Sequence, residues 1–172
     1  MLFNTVEFVI FFIIILSIFV ILKNRYFHHI FLLGASYLFF YWSSNYLITL
    51  LIFTTFWVFY FGKIIHHTTD KKTKKILLAI SLAGNLGLLG FFKYSDFVIT
   101  EFNFLGQYLD LGTEIPLLNI ALPVAISFYT FQSMSYTIDI YRGKLEPSKS
   151  LREVAIFVAF FPQLIAGPIL RA

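Results

Sequence analysis

The stretch from Leu122 to Gly143, LPVAISFYTFQSMSYTIDIYRG, puts a proline, several hydroxyls, a glutamine and an aspartate among long apolar runs. Read as a helix, Phe128, Gln132, Ser135, Tyr136 and Asp139 fall within about 100° of one another, while Ser127, Thr130, Ser133 and Thr137 share an arc of about 120° on another side. Both arcs would be penalised against lipid, so at least one should face protein or water. Chains keep polar groups at membrane depth where they line a cavity or a reaction path. The plainer alternative is a buried helix whose Ser and Thr bond their own backbone. For the hydroxyls the two readings stand level, but the plain one covers Gln132 and Asp139 poorly. Pro123 lacks an amide hydrogen and disfavours the α conformation in Leu122, so the helix should begin near Pro123, part-way into the apolar region.

A second segment, VAIFVAFFPQLIAGPIL, carries Pro162 near its middle and Pro168 near its end. Each proline removes a rung of the hydrogen-bond ladder, so a re-entrant or sharply kinked element is as reasonable as a clean span. The other residues offer less chemistry. His28-His29 and His66-His67 are adjacent pairs, whose side chains point about 100° apart and do not share a face as an i, i+4 metal pair would. They read as solvated or headgroup-facing side chains in basic loops, and no metal site is expected. There are no cysteines, which excludes disulfides and thiolate ligands. No Ser-His-Asp arrangement, paired carboxylates or phosphate loop is readable.

The elements that must position these residues belong to a membrane. Of 172 residues, 59% are hydrophobic and only 13% charged, against roughly 25% charged in soluble domains. The apolar positions form continuous runs rather than period-two alternation, which argues against a β-barrel and predicts an all-α, polytopic helix bundle. About six apolar segments can be marked: 6–22, 30–42, 47–62, 76–92, one within 115–138 and one within 154–170. Segments two and three read as one helix would extend roughly 50 Å, well beyond a core of about 30 Å, so a turn is expected at Ser43 to Asn45. Residues 1–172 read as one membrane-embedded region. On the fourth segment Ala79, Ala83, Gly87 and Gly90 fall within about 80°, a stripe expected to let another helix pack closely.

Charge placement sets the expected orientation. With the N-terminus outside, Lys23, Arg25, Lys63, the lysines from Lys71 to Lys75, and Arg142, Lys144, Lys149 and Arg152 all fall in the cytosol. Only Lys93 and Arg171 fall on the other side, where Asp96, Glu101, Asp110 and Glu114 would also lie. That is the asymmetry of a multi-pass membrane protein. The net charge of +4 is therefore an orientation signal, and nucleic-acid binding is not expected. The lipid bilayer is the expected partner, and Tyr37, Tyr41, Trp42, Tyr46, Trp57 and Tyr60 read as depth anchors.

At Asn85 to Phe97 (NLGLLGFFKYSDF), Leu122 to Gly143 and Phe160 to Arg171 (FFPQLIAGPILR) the chain resembles the membrane-bound O-acyltransferases. The similarity is to the bacterial branch that acetylates alginate, peptidoglycan and other polysaccharides. That family commonly reads LPVGISFYTFQ, and this chain has Ala125 where the glycine stands; the added methyl is expected to narrow backbone approach slightly. The family's catalytic histidine lies on a later span, beyond the position matching Arg171, so the resemblance is to the N-terminal portion of such an enzyme. It implies no catalytic residue within 1–172 and no transferase activity for this stretch alone.

For a longer protein the resemblance implies O-acyl transfer, with acetyl to an exported polysaccharide or cell-wall glycan, in the bacterial cytoplasmic membrane. No cofactor is expected to be resident; the acyl donor would be acetyl-CoA or another acyl thioester entering from the cytosol. The partner would be an extracytoplasmic acetyltransferase or the glycan acceptor itself. Gln132, Tyr136 and Asp139 are expected to line or brace the acyl path and Arg142 to orient its cytosolic mouth. Pro123, Pro162 and Pro168 would shape the broken helices. A transporter or flippase subunit, or a non-catalytic membrane scaffold, is the competing expectation. The first would show an inverted repeat, and none is evident between the first and last three segments.

Overall fold

A computed structural model describes residues 5–21, 25–109, 112 and 114–166. Lys23, Pro168 and Arg171 lie outside them. The described residues are helical with no strand: α1 (Val6–Ile21), α2 (Arg25–Ser44), a single 3-10 turn (Asn45–Leu47), α3 (Ile48–His67), α4 (Lys71–Tyr108), α5 (Ile126–Tyr141), α6 (Leu151–Ala159) and α7 (Phe161–Ala166).

The first two helices run in opposite directions. Phe19 stacks on His28 at 4.5 Å and Phe8 meets Phe39 at 5.7 Å, which pairs α1 with α2 antiparallel. At Asn45 the backbone turns left-handed, with φ 51°, a conformation asparagine tolerates better than most residues. The hydroxyls of Tyr37 and Thr55 hydrogen-bond across the bend. A straight helix would hold those residues about 27 Å apart. The polar stretch Ser43 to Asn45 is therefore the turn expected there, and α2 and α3 form a hairpin.

Among the described residues two runs are long and apolar enough to cross a membrane, Phe27–His67 (the hairpin as a whole) and Lys71–Tyr108, while the apolar helix Val6–Ile21 is shorter. Besides an apolar core, polar side chains are buried and many large apolar ones lie on the outside. Thr54, Thr55, Ser81, Asn85, Thr130, Gln132, Ser133, Thr137 and Asp139 are buried, whereas Val9, Ile13, Leu16, Phe53, Phe56 and Leu86 are exposed. That arrangement suits hydrocarbon outside and protein within. A membrane helical bundle is what the composition required.

α4 departs from the expected boundaries. It does not stop at Phe92 but continues to Tyr108, 38 residues in all, or about 57 Å. Lys93, Asp96 and Glu101 end the hydrocarbon pattern without ending the helix, because charged residues are adequate helix formers and no proline occurs before Pro116. The following chain runs back along the distal half. The Asn103 side-chain amide donates to the Ile115 carbonyl at 2.7 Å and accepts from the Ile115 amide at 2.9 Å, and the Asp96 carboxylate accepts from the Leu118 amide at 2.8 Å.

The expected close-packing stripe is also corrected. Ala79, Ala83 and Gly87 are exposed, and a methyl group at Gly87 or Gly90 would meet nothing within 4 Å. The opposite side of α4 does the packing. A methyl at Gly84 would come within 2.6 Å of the Trp57 indole, whose nitrogen donates to the Ser81 carbonyl at 3.2 Å. A small-residue stripe marks where a backbone could approach; the indole selected the face.

Both basic loops lie at one end of the bundle. Lys74 sits 5.9 Å from the centre of the Tyr141 ring, and Lys63, His66 and His67 share a cavity with residues 146–149. At the opposite end Lys93 donates to the Ser127 hydroxyl at 3.3 Å and the Val124 amide donates to the Ser44 hydroxyl at 2.9 Å.

Asp70 opens α4 as its N-cap, accepting from the Thr73 amide at 2.8 Å and the Thr73 hydroxyl at 2.6 Å. Those hydrogen bonds, the hydroxyl's foremost, hold its carboxyl below the ordinary 3.8. A depressed carboxylate contributes to the folded state above its unfolded value, and the contribution is lost as pH falls through the folded one. Hydrogen exchange at the Thr73 amide is therefore expected to accelerate in Asp70→Ala at neutral pH. The wild-type and variant amides should converge below pH 3.8. Equal protection of the two proteins at neutral pH would contradict the cap.

Candidate functional site

Both polar arcs of α5 face protein. Thr130, Ser133 and Thr137 are buried on one side and Gln132, Tyr136 and Asp139 on the other, while Phe128 and Phe131 are left on the outer surface. The two arcs do different things.

The Gln132 arc braces interrupted backbone. α6 ends at Ala159 and α7 begins at Phe161, with Phe160 between them at φ −57° and ψ 106°. The interruption precedes Pro162, because a proline forces the preceding residues out of the helical register. It leaves carbonyls at the end of α6 and amides at the start of α7 without helical partners. Gln132 Nε2 donates to the Phe157 carbonyl. From the other side, the Phe161 amide donates to the Ser36 hydroxyl at 3.3 Å. Two neighbouring helices thus supply what the broken one lost. Phe161 itself is buried in an aromatic cluster with Phe11 and Phe39.

Tyr136 plays a similar part at the end carrying the basic loops. Its hydroxyl accepts from the Ser148 amide at 3.0 Å, tying the 142–150 loop to α5. Ser148 in turn donates to the Glu153 carboxylate. Asp139 is buried on the same arc, one turn from Arg142, which is exposed at the C-terminal cap of α5.

The hydroxyl arc is less well satisfied. Thr137 donates back to the Ser133 carbonyl at 3.1 Å and Thr55 to the Leu51 carbonyl at 2.9 Å, the plain behaviour of helical threonine. Asn85 donates to the Ser81 carbonyl at 2.9 Å. The hydroxyls of Tyr129, Ser133 and Ser81, however, are buried and hydrogen-bond to nothing among the described residues. Tyr129 is only 1% exposed, and leaving such a group unpaired costs about 1–3 kcal/mol. Tyr129 extends the Ser133 and Thr137 row by one turn, and Ser81 and Asn85 form an i, i+4 pair on α4. That spacing is visible in the sequence, but the tyrosine reads as an ordinary aromatic until its burial is known. Ser36 was missed because a lone serine in an aromatic run carries no signal. Among the described residues no three His, Asp or Glu side chains converge as a metal site would require.

The entry to α5 differs from expectation. The helix begins at Ile126, three residues after the buried Pro123, and Ala125 before it adopts φ 61° and ψ 17°. The backbone at Ala125 is left-handed, a conformation that glycine holds without strain. A non-glycine residue held there is strained by about 1–2 kcal/mol.

Comparison with known proteins finds relatives over part of the chain. A protein of Pseudomonas putida named probable alginate O-acetylase AlgI is 44% identical over 94 residues, covering 55% of this chain and 19% of its own length. Its namesake in Pseudomonas aeruginosa is also 44% identical over 94 residues, 55% of this chain and 18% of the relative. A peptidoglycan O-acetyltransferase of Helicobacter pylori is 35% identical over 122 residues, covering 57% of this chain and 22% of its own length. The chain therefore spans about a fifth of the length of the relatives it matches. No family model and no solved structure matches it. These matches bear out the resemblance to the acetylation branch.

Two substitutions test the local geometry. Gln132→Leu keeps the volume but orphans the Phe157 carbonyl, and is expected to lower stability by about 1–3 kcal/mol. Ala125→Gly is expected to raise it by about 1 kcal/mol, the relieved strain less the added freedom of glycine in the unfolded chain. Thermal unfolding in detergent reads both; a neutral Gln132→Leu or a destabilising Ala125→Gly would contradict the assignments.

Proposed function

We propose that this chain forms the N-terminal part of a multi-pass O-acyltransferase that transfers acetyl groups to an exported polysaccharide or cell-wall glycan. The observation that carries the reading is the similarity to alginate O-acetylases and a peptidoglycan O-acetyltransferase across more than half of the chain. In the proposed reaction an acyl thioester on the cytosolic side loses its C–S bond as an acceptor hydroxyl forms the new C–O bond. The hydroxyl proton ends on the departing thiol. The resemblance implies that a histidine outside residues 1–172 assists the attack, so the stretch alone is not expected to turn over.

The orientation proposed puts the N-terminus and the distal half of α4 outside, with the basic loops in the cytosol. Supporting it, the loops carrying Lys63 to Lys75 and Arg142 to Arg152 lie at one end of the bundle. In this reading the unpaired hydroxyls of Tyr129, Ser133 and Ser81 face the acyl path, where the travelling carbonyl gives them an acceptor. Gln132 and Tyr136 brace the elements around that path, and Asp139 and Arg142 stand near its cytosolic mouth.

Membrane vesicles with their cytosolic face outward, carrying the protein at its relatives' full length, are the direct test. Given acetyl-CoA labelled in the acetyl group, they are expected to accumulate alkali-labile label in the glycan. Tyr129→Phe should lower that incorporation roughly tenfold without lowering thermal stability. A Tyr129→Phe protein with unchanged transfer and raised stability would show a hydroxyl that is merely buried, and would remove it from the path. Label that crosses the membrane without ever forming an ester would indicate a transporter and defeat the proposal.

A further inference from the structure

We infer that the cavity between the last turn of α3 and the loop following α5 binds a phosphoryl group, offered by a soluble phosphate ester or by a lipid headgroup. The cavity has a volume of about 320 Å³, and its walls include Lys63, His66, His67, Glu146, Ser148 and Lys149. Liquid water occupies about 30 Å³ per molecule, so the space accepts a phosphate or pyrophosphate with part of its hydration. Two ammonium groups outnumber the single carboxylate, and the imidazoles add N–H donors around the same volume. The C-terminal end of α3 opposes an anion with roughly half an elementary charge. The two lysines outweigh it.

The walls are built rather than a loose basic surface. Ser148 is fixed by its amide to the Tyr136 hydroxyl at 3.0 Å and by its own hydroxyl to the Glu153 carboxylate and the Ser150 carbonyl. Pro147 limits the backbone beside it. Lys63 lies against the Phe59 ring, 4.1 Å from the centroid, which removes part of the freedom a surface lysine would lose on binding. The Ser148 donors are spent on holding the loop in place, and Lys63 is the restrained donor, which binds an anion with less entropic cost than a mobile one. The histidine pair, read from sequence as solvated side chains, is exposed as expected and shares this cavity with a loop that the sequence places 80 residues further along the chain at Glu146.

The inference stands apart from acyl transfer, since binding can be measured without turnover. The chain is placed in nanodiscs of phosphatidylcholine and titrated with inorganic pyrophosphate by calorimetry. The Lys63→Gln/Lys149→Gln variant is expected to bind about tenfold more weakly or worse. Lys71→Gln/Lys72→Gln, at the exposed start of α4, should change affinity by less than about threefold. Adding phosphatidylglycerol to the discs identifies the source. Pyrophosphate binding that persists marks a soluble phosphate ester, and binding that disappears marks a headgroup already seated there. Absence of pyrophosphate binding in phosphatidylcholine, or equal weakening by the two double substitutions, would overturn the site in favour of diffuse attraction.

Discussion

Hydrocarbon offers no hydrogen bonds, and that absence governs how this chain can interrupt its helices. An amide or carbonyl freed by a break in water is repaired by solvent. At membrane depth it must be repaired by protein. Each interruption here has its own repair: Gln132 and Ser36 hold the two sides of the break at Phe160, and Ser44 receives the Val124 amide ahead of α5. These side chains come from helices distant in sequence, so the breaks are also the points at which the bundle is fastened together. Removing Gln132 or Ser36 leaves a backbone group at the Phe160 break without its partner.

This division explains why polar residues on α5 cannot be treated as one set. Gln132 and Tyr136 spend their hydrogen-bonding capacity on the backbone of α6 and of the following loop. Tyr129 and Ser133, on the hydroxyl arc, do not. A group already bonded to a carbonyl is committed to the fold, whereas an unpaired buried hydroxyl is an unmet requirement of the described structure. The glutamine, most conspicuous in the sequence, thus has a structural partner, while the tyrosine and serine on the other side of the same helix have none among the described residues.

Much of the architecture was legible because it follows from the solvent. The apolar runs, the polar turn at Ser43 to Asn45 and the shared end of the basic loops need only hydropathy and charge. What was not legible depends on which faces meet. The small residues of α4 could be counted, but the side chosen for packing was fixed by Trp57 reaching Gly84. The extension of α4 past Phe92 was hidden because hydropathy locates the edge of the hydrocarbon and not the end of a helix. The left-handed backbone at Ala125 gave no composition signal, since alanine is not among the residues that mark turns.

The distal half of α4 shows how the same chain behaves once water is available. Asp96 and Asn103 present carboxylate and amide groups to the returning segment at Ile115 and Leu118, binding backbone that has no helix or sheet of its own. These groups are exposed, so water competes for each bond and a single one contributes only about 0.5–1.5 kcal/mol. They guide the loop along the helix without fixing it as rigidly as Gln132 fixes the buried break. The chain thus uses one device, a side chain bonded to unpaired backbone, at two depths. Its strength is set by the medium around it: obligatory between the helices, adjustable beyond them. That contrast makes the backbone at the Phe160 break more tightly held than the backbone at Ile115 and Leu118.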